Sequence, residues 1–300
     1  MIPTPSLPAR PSSPTQRPPY RQRKLGGILA AFAIALCTPA LAHASYAERE
    51  DARAFAAEIA SRHALDAGEI ERALAGARHD PEVIRLITPP SRKGVRSWRS
   101  YRARFLDRTR IDGGMRFWHE HADTLERAER ETGVPAEVIV AIIGVETIYG
   151  RNTGNFETLS TLATLAFDYP PRAELFRREL EALFLLAREQ GRDPASYYGS
   201  FAGALGYPQF LPSSMRAYAV DFDRNGAIDF DGDPVDAIGS VANYLRAHGW
   251  QAGAPVAERA RLSPATDAAG LVAAGIGVTL IPEMAVAVET ILITVVVVVV

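Results

Sequence analysis

Pro135-Ala136-Glu137-Val138-Ile139-Val140-Ala141-Ile142-Ile143-Gly144-Val145-Glu146-Thr147-Ile148-Tyr149-Gly150 is the stretch from which the rest of this chain is read. Proline is tolerated in a first helical turn, where its missing N–H would have no partner, so Pro135 marks a helix start. From Val138 to Val145 the residues are apolar on every side, which describes a helix buried all round and not an amphipathic one. Gly150 is expected to close it, since glycine readily takes the left-handed conformation. Glu146 interrupts the apolar wall. An ionised carboxylate is expensive to bury, so it must be paired, protonated or open to a cleft.

Near a helix C-terminus the macrodipole disfavours negative charge, and this should raise the pKa of Glu146 as an apolar wall would. A raised carboxyl pKa is what a general acid needs near neutral pH. The structural alternative is a buried glutamate satisfied by an arginine such as Arg151 or by backbone groups.

Outward from this helix the periodicity stays helical. Phe55, Ile59, Leu65, Ile70, Leu74, Val83, Ile84 and Ile87 recur at three-to-four-residue spacings between Tyr46 and Ile87, and Pro89-Pro90 then break the pattern. Trp98 and Tyr101 open the segment from Ser97 to Arg110, and Met115 to Glu131 reads as one amphipathic helix ending before Gly133. No alternating strand pattern appears in this half. Further helices are expected over Glu157–Ala166, Ala173–Gln190, Ser213–Val220 and Asp236–His248, so the fold class is mainly α.

The bulk numbers narrow the function. The chain has 300 residues, 47% of them apolar, enough for a true core in one large domain or two modest ones. Its formal charge of -2 hides an asymmetry: residues 1–44 hold Arg10, Arg17, Arg21, Arg23 and Lys24 and no acid. The remainder of the chain is acidic, which argues against nucleic acid as a partner. The basic cluster, the apolar run Leu25–Leu36 and the ending Ala42-His43-Ala44 have the layout of an export signal, and the mature protein is expected in the periplasm. The run is shorter than the ~20 residues of a membrane-spanning helix. Cys37, the one cysteine, lies inside the signal, so the mature chain would have no disulfide. Leu36 before it disfavours a lipid-anchored form.

Several long, ordered words resemble the lytic murein transglycosylase B family. They are Gly144-Val145-Glu146-Thr147-Ile148-Tyr149-Gly150-Arg151, then Thr161-Leu162-Ala163-Thr164-Leu165-Ala166-Phe167-Asp168-Tyr169-Pro170, then Gly199-Ser200-Phe201-Ala202-Gly203-Ala204-Leu205-Gly206-Tyr207-Pro208-Gln209-Phe210-Leu211-Pro212-Ser213-Ser214. The likeness continues through Tyr218 to Asp223 and Asp233 to Tyr244 and ends at His248-Gly249-Trp250. It implies a lysozyme-like helical catalytic domain over residues 45–256. It also implies cleavage of the β-1,4 bond between N-acetylmuramic acid and N-acetylglucosamine in peptidoglycan glycan strands, with association with the cell envelope.

In that family the muramyl 6-hydroxyl, not water, closes a 1,6-anhydro ring, so one glutamate can act as acid and then base. No second carboxylate of the kind hydrolysis needs is evident beside the motif. Carried over by the resemblance, Glu146 matches the catalytic acid and base and no cofactor is needed for catalysis. Ser200 and Gln209 match polar groups of the sugar cleft, Tyr101 and Arg172 match positions lining it, and Phe210 matches an aromatic wall. Loop hydrogen bonding is the plainer account of Ser200 and Gln209, and core packing that of Phe210 and Tyr101.

Asp221-Phe222-Asp223-Arg224-Asn225-Gly226-Ala227-Ile228-Asp229 has the oxygen-bearing side chains and turn glycine of an EF-hand-like calcium loop. Asp221, Asp223, Asn225 and the Ala227 carbonyl are the expected ligands of a structural Ca2+. The twelfth position is Gly232 where a bidentate glutamate is usual, and closure could fall to Asp231, Asp233 or Asp236, the last being the family's choice.

Beyond about Val256 the family's words stop. Leu271 to Glu283 resembles a piece of the effector-binding domain of LysR-type regulators, and six valines end the chain. Residues 257–300 therefore read as an atypical tail, with a frameshift, fusion or mistaken gene end as its origin. The alternative function is a truncated homologue that binds glycan and turns it over poorly. A regulatory ligand-binding protein is opposed by the export signal.

Overall fold

The computed structural model describes residues 45–89 and 103–254. The expected export signal of 1–44, Tyr101 and the expected tail of 257–300 lie outside the described residues. Elsewhere the mainly helical expectation is met. Helices α1 (Glu50–His63), α2 (Ala67–Gly76) and α3 (Pro81–Ile87) turn Phe55, Ile59, Ile70, Leu74 and Val83 inward. Their starts are chemically marked: the Asp66 carboxylate accepts from the Gly68 N–H at 2.7 Å, and Asp80 accepts from Glu82 at 2.8 Å with Pro81 next in the chain.

The helix expected over Met115–Glu131 is two helices, α4 (Arg108–Glu120) and α5 (Ala122–Thr132). His121 leaves the helical region between them at φ -116° and ψ 25°, and Asp107 caps α4 well before Met115. Periodicity carries on across such a break because both helices bury a face against the same core, so the joint left no mark in the pattern. Gly133, at φ 71°, ends α5 as expected.

Helix α6 (Ala136–Thr147) is the buried helix, with Ile139 and Ile143 fully enclosed. It packs on α4, α5 and the late helix α10 (Pro234–Ala247). The closing residue differs from the expectation. Ile148, Tyr149 and Gly150 are all left-handed, at φ 53°, 59° and 80°, so the helix stops three residues before Gly150.

A second all-buried helix, α7 (Thr158–Asp168), lies along α8 (Ala173–Gln190), and α8 carries α9 (Pro212–Tyr218). Two polar residues of α7 tie it to its neighbours, while the buried Thr158 hydroxyl has no hydrogen-bond partner among the described residues. The Ser160 hydroxyl accepts from the Arg78 N–H at 2.9 Å and the Thr164 hydroxyl from the Asp80 N–H at 3.0 Å, tying α7 to the loop before α3.

One element went unseen in the sequence. Strands β1 (Phe156–Glu157) and β2 (Tyr198–Gly199) pair antiparallel, Phe156 opposite Gly199. Two residues are too few for an alternation to register. The ribbon brings the loop after α6 onto the glycine-rich segment 199–210. Among the described residues no helix is long and apolar enough to cross a membrane.

Candidate active site

The site begins where α6 ends. The Thr147 hydroxyl proton is shared between the carbonyls of Ile143 (3.2 Å) and Tyr207 (3.0 Å), and its oxygen accepts the Gly150 N–H at 3.0 Å. This buried hydroxyl fastens the last turn of α6 to the segment that carries Ser200 and Gln209. Gly154 faces the Gly199 carbonyl so closely that a Cβ would overlap it, which makes glycine obligatory at that crossing.

Glu146 sits one residue before the helix end, mostly buried beside Val145 and Thr147. Among the described residues its carboxyl has neither a hydrogen-bond nor an ion-pair partner, and Arg151 is exposed to solvent. Burial alone pushes its pKa from 4.5 up to about 7. The expected direction holds, and the structural alternative of an arginine or backbone partner is not what is found. A carboxyl with this pKa is divided between acid and base forms near neutrality.

The other expected residues have mixed surroundings. Ser200 accepts from the Ala202 N–H at 3.3 Å and the Ala204 N–H at 3.1 Å, so its oxygen organises the loop while its own proton has no acceptor among the described residues. Gln209 is only 7% exposed and stands at φ 53°. Its amide nitrogen donates to Thr153 (3.0 Å) and Gly206 (2.9 Å), which leaves its side-chain oxygen as the group not used by the loop. Phe210 is accounted for by core packing: it is 8% exposed and meets Phe230 at 5.7 Å and Tyr244 at 5.4 Å between ring centroids. The Arg172 guanidinium lies over the Phe176 ring at 5.5 Å and has no carboxylate partner among the described residues.

The acidic loop converges on three carboxylates. Oxygens of Asp221, Asp223 and Asp236 lie within 4.8 Å of one another. Asp236, at 2% exposure, accepts from the N–H groups of Phe222 (2.7 Å), Asp223 (3.3 Å) and Asp229 (2.9 Å), which folds the loop back over the start of α10. Burial raises the Asp236 pKa against the pull of these donors. Asp233 has another task, capping α10 at the Val235 N–H (2.9 Å), and Asp229 accepts from Asp231 and Gly232. Of the three candidates for closure, Asp236 is the one whose carboxylate joins those of Asp221 and Asp223. Asn225 is engaged inside the loop, donating to Asp223 at 2.7 Å and accepting from the Ala227 N–H at 2.9 Å. Three hard oxygens so placed suit a calcium-sized cation.

Sequence reasoning missed Thr147 and Tyr149 as parts of the site. Both lie inside the Glu146 word, but only their contacts with Tyr207 and α4 reveal a role.

Residues 47–275 match the family model of the transglycosylase SLT domain, which runs past Val256, the expected edge of the catalytic region. The chain is 44% identical over 221 residues to the membrane-bound lytic murein transglycosylase B of Escherichia coli (strain K12), covering 71% of this chain and 61% of that protein. It thus spans about three fifths of that relative's length. Among solved structures, the soluble lytic transglycosylase SltB1 from Pseudomonas aeruginosa superposes with a TM-score of 0.66 at 49% identity, covering 68% of each chain. The Escherichia coli lytic transglycosylase Slt35 in complex with calcium gives 0.63 at 45% identity, covering 69% of this chain and 64% of that one. At these identities the likeness extends to the lysozyme-like fold.

Proposed function

The chain belongs to the transglycosylase SLT domain family, and from that premise we propose that it is an exported lytic transglycosylase of peptidoglycan. It would cleave the β-1,4 bond between N-acetylmuramic acid and N-acetylglucosamine and leave 1,6-anhydromuramyl ends. The observation that carries the reading is Glu146, largely buried, without a partner among the described residues and with its pKa raised to about 7.

The protonated Glu146 carboxyl gives its proton to the glycosidic oxygen as the bond from C1 to that oxygen breaks. The carboxylate left behind then takes the proton of the muramyl 6-hydroxyl while that oxygen bonds to C1, closing the ring and restoring the acid. A pKa near the working pH lets one group do both steps, and water must stay away from C1. The Ser200 proton and the Gln209 side-chain oxygen are the groups the loops leave for sugar hydroxyls. The family resemblance adds Tyr101, Arg172 and Phe210 to the proposed cleft.

Calcium would be held by Asp221, Asp223 and Asp236, with Asn225 and the Ala227 carbonyl, as a structural ion supplying no chemistry at Glu146. The carboxylate cluster and the calcium complex of the relative support this. The basic and apolar pattern of residues 1–44 supports export to the periplasm.

The products of purified sacculi decide the chemistry by mass. Anhydromuramyl ends are one water lighter than hydrolytic ends. Digestion that yields only reducing, hydrated muramyl ends would sink the transglycosylase reading.

A further inference from the structure

Tyr149 lies three residues after Glu146, in a run of backbone that its own residue type does not favour. Ile148 and Tyr149 both adopt left-handed φ values, 53° and 59°, and a β-branched side chain is poorly suited to that region. Something outside the local sequence must hold the run in place.

The Tyr149 ring supplies it. The ring lies in a slot between α4 and α6 floored by three glycines. A Cβ on Gly113 would come within 2.9 Å of the ring, one on Gly114 within 2.5 Å of the hydroxyl, and one on Gly144 would overlap the hydroxyl outright. Phe117 closes the slot, its ring centroid 5.2 Å from that of Tyr149. Gly144 is on the last turn of α6, two residues before Glu146. Arg110 joins the same two helices, donating from Nε to the Gly144 carbonyl at 3.2 Å. The Tyr149 hydroxyl has no hydrogen-bond partner among the described residues, so the ring acts by shape.

We propose that Tyr149 is the positioning residue of the reaction: its ring, wedged among Gly113, Gly114 and Gly144, fixes the last turn of α6 and so keeps the Glu146 carboxyl in its apolar setting. This rests on the reading of Glu146 as the acid and base. Without the wedge the last turn is free to fray, water reaches the carboxyl, and the burial that lifts its pKa weakens. Arg110 on α4 and Asp107 at its N-cap act on Tyr149, and Arg116, Glu120, His121 and Arg151 line, together with Tyr149 itself, a hollow of about 220 Å³.

The test measures kcat and KM against pH on purified sacculi with the full mature chain. Tyr149→Ala should lower kcat at least ~10-fold, a modest share of what misplacement can cause, with KM little changed. It should also move the alkaline limb of the kcat profile toward lower pH. Tyr149→Phe should restore both, because the ring is what fills the slot. Gly144→Ala should reproduce the shifted limb by pushing the ring out, and it serves as the second variant if Tyr149→Ala does not fold. A folded Tyr149→Ala or Gly144→Ala enzyme with a lower melting temperature but an unmoved alkaline limb would overturn the inference, since a purely structural role predicts that result. Glu146→Gln is assayed beside them. If it stays active, the reading of Glu146 fails; if it is inactive and the Tyr149 limb is unmoved, only the positioning role fails.

Discussion

The last turn of α6 and the first turn of α10 each hold a largely buried carboxylate, and they treat it in opposite ways. At the end of α6, Glu146 meets the negative end of the helix dipole, apolar neighbours and no donor among the described residues. At the start of α10, Asp236 meets the positive end and three backbone N–H groups. A third buried acid, Glu179, resembles Asp236 in being satisfied: it accepts from the Ser213 N–H at 3.0 Å and hydroxyl at 2.7 Å, and so caps α9. Where a carboxylate organises the fold its lone pairs are occupied, and where one is left without partners its burial costs stability.

The sharpest way to break the contrast is Glu146→Gln, which copies the shape and removes the exchangeable proton. Turnover on sacculi should fall by ~10²–10⁴-fold while the circular dichroism spectrum is unchanged. Near-normal release of anhydro products from this variant would place the acid elsewhere.

Stability should show the same contrast through pH. The folded pKa of Glu146 lies above its unfolded value, so its contribution is fully present below about 4.5 and is lost as pH rises through about 7. That amounts to at most about 3 kcal/mol. Glu146→Gln should therefore gain stability relative to the native protein between pH 5 and pH 8 in urea melts. A constant difference across that range would mean the carboxyl is better hydrated than its surroundings imply.

Calcium tests the other pole. A ligand binding only the folded state at a hundred times its dissociation constant adds ~2.7 kcal/mol. The melting temperature should rise with millimolar calcium, and Asp221→Ala with Asp223→Ala should abolish the rise. An unmoved native melting curve would reduce the loop to an acidic turn.

The smallest effect expected is that of Asp236→Asn in chelator. The amide presents an N–H where one of the backbone donors now meets an oxygen, a loss of about 2 kcal/mol. Over a domain of this size the melting temperature should fall by roughly 4–8 °C. No change would mean that the three N–H groups find water as readily as carboxylate.

Local pattern alone is enough for the mainly α class, the all-buried helix holding Glu146 and the acidic calcium-type loop, because each rests on periodicity or spacing within a few turns of chain. Ala173–Gln190 is read with its observed bounds, since its apolar stripe and closing glycine lie inside one segment. The folded chain was needed to show that Glu146 has no partner among the described residues, that Phe210 is held in the core by Phe230 and Tyr244, and that the carboxylate of Asp236, not that of Asp233, joins those of Asp221 and Asp223. Each depends on which distant segments meet: 147 with 207, 210 with 244, 221 with 236. Burial, the cause of the raised Glu146 pKa, is a sum over neighbours that folding brings together from separate elements, and no window of sequence contains that sum.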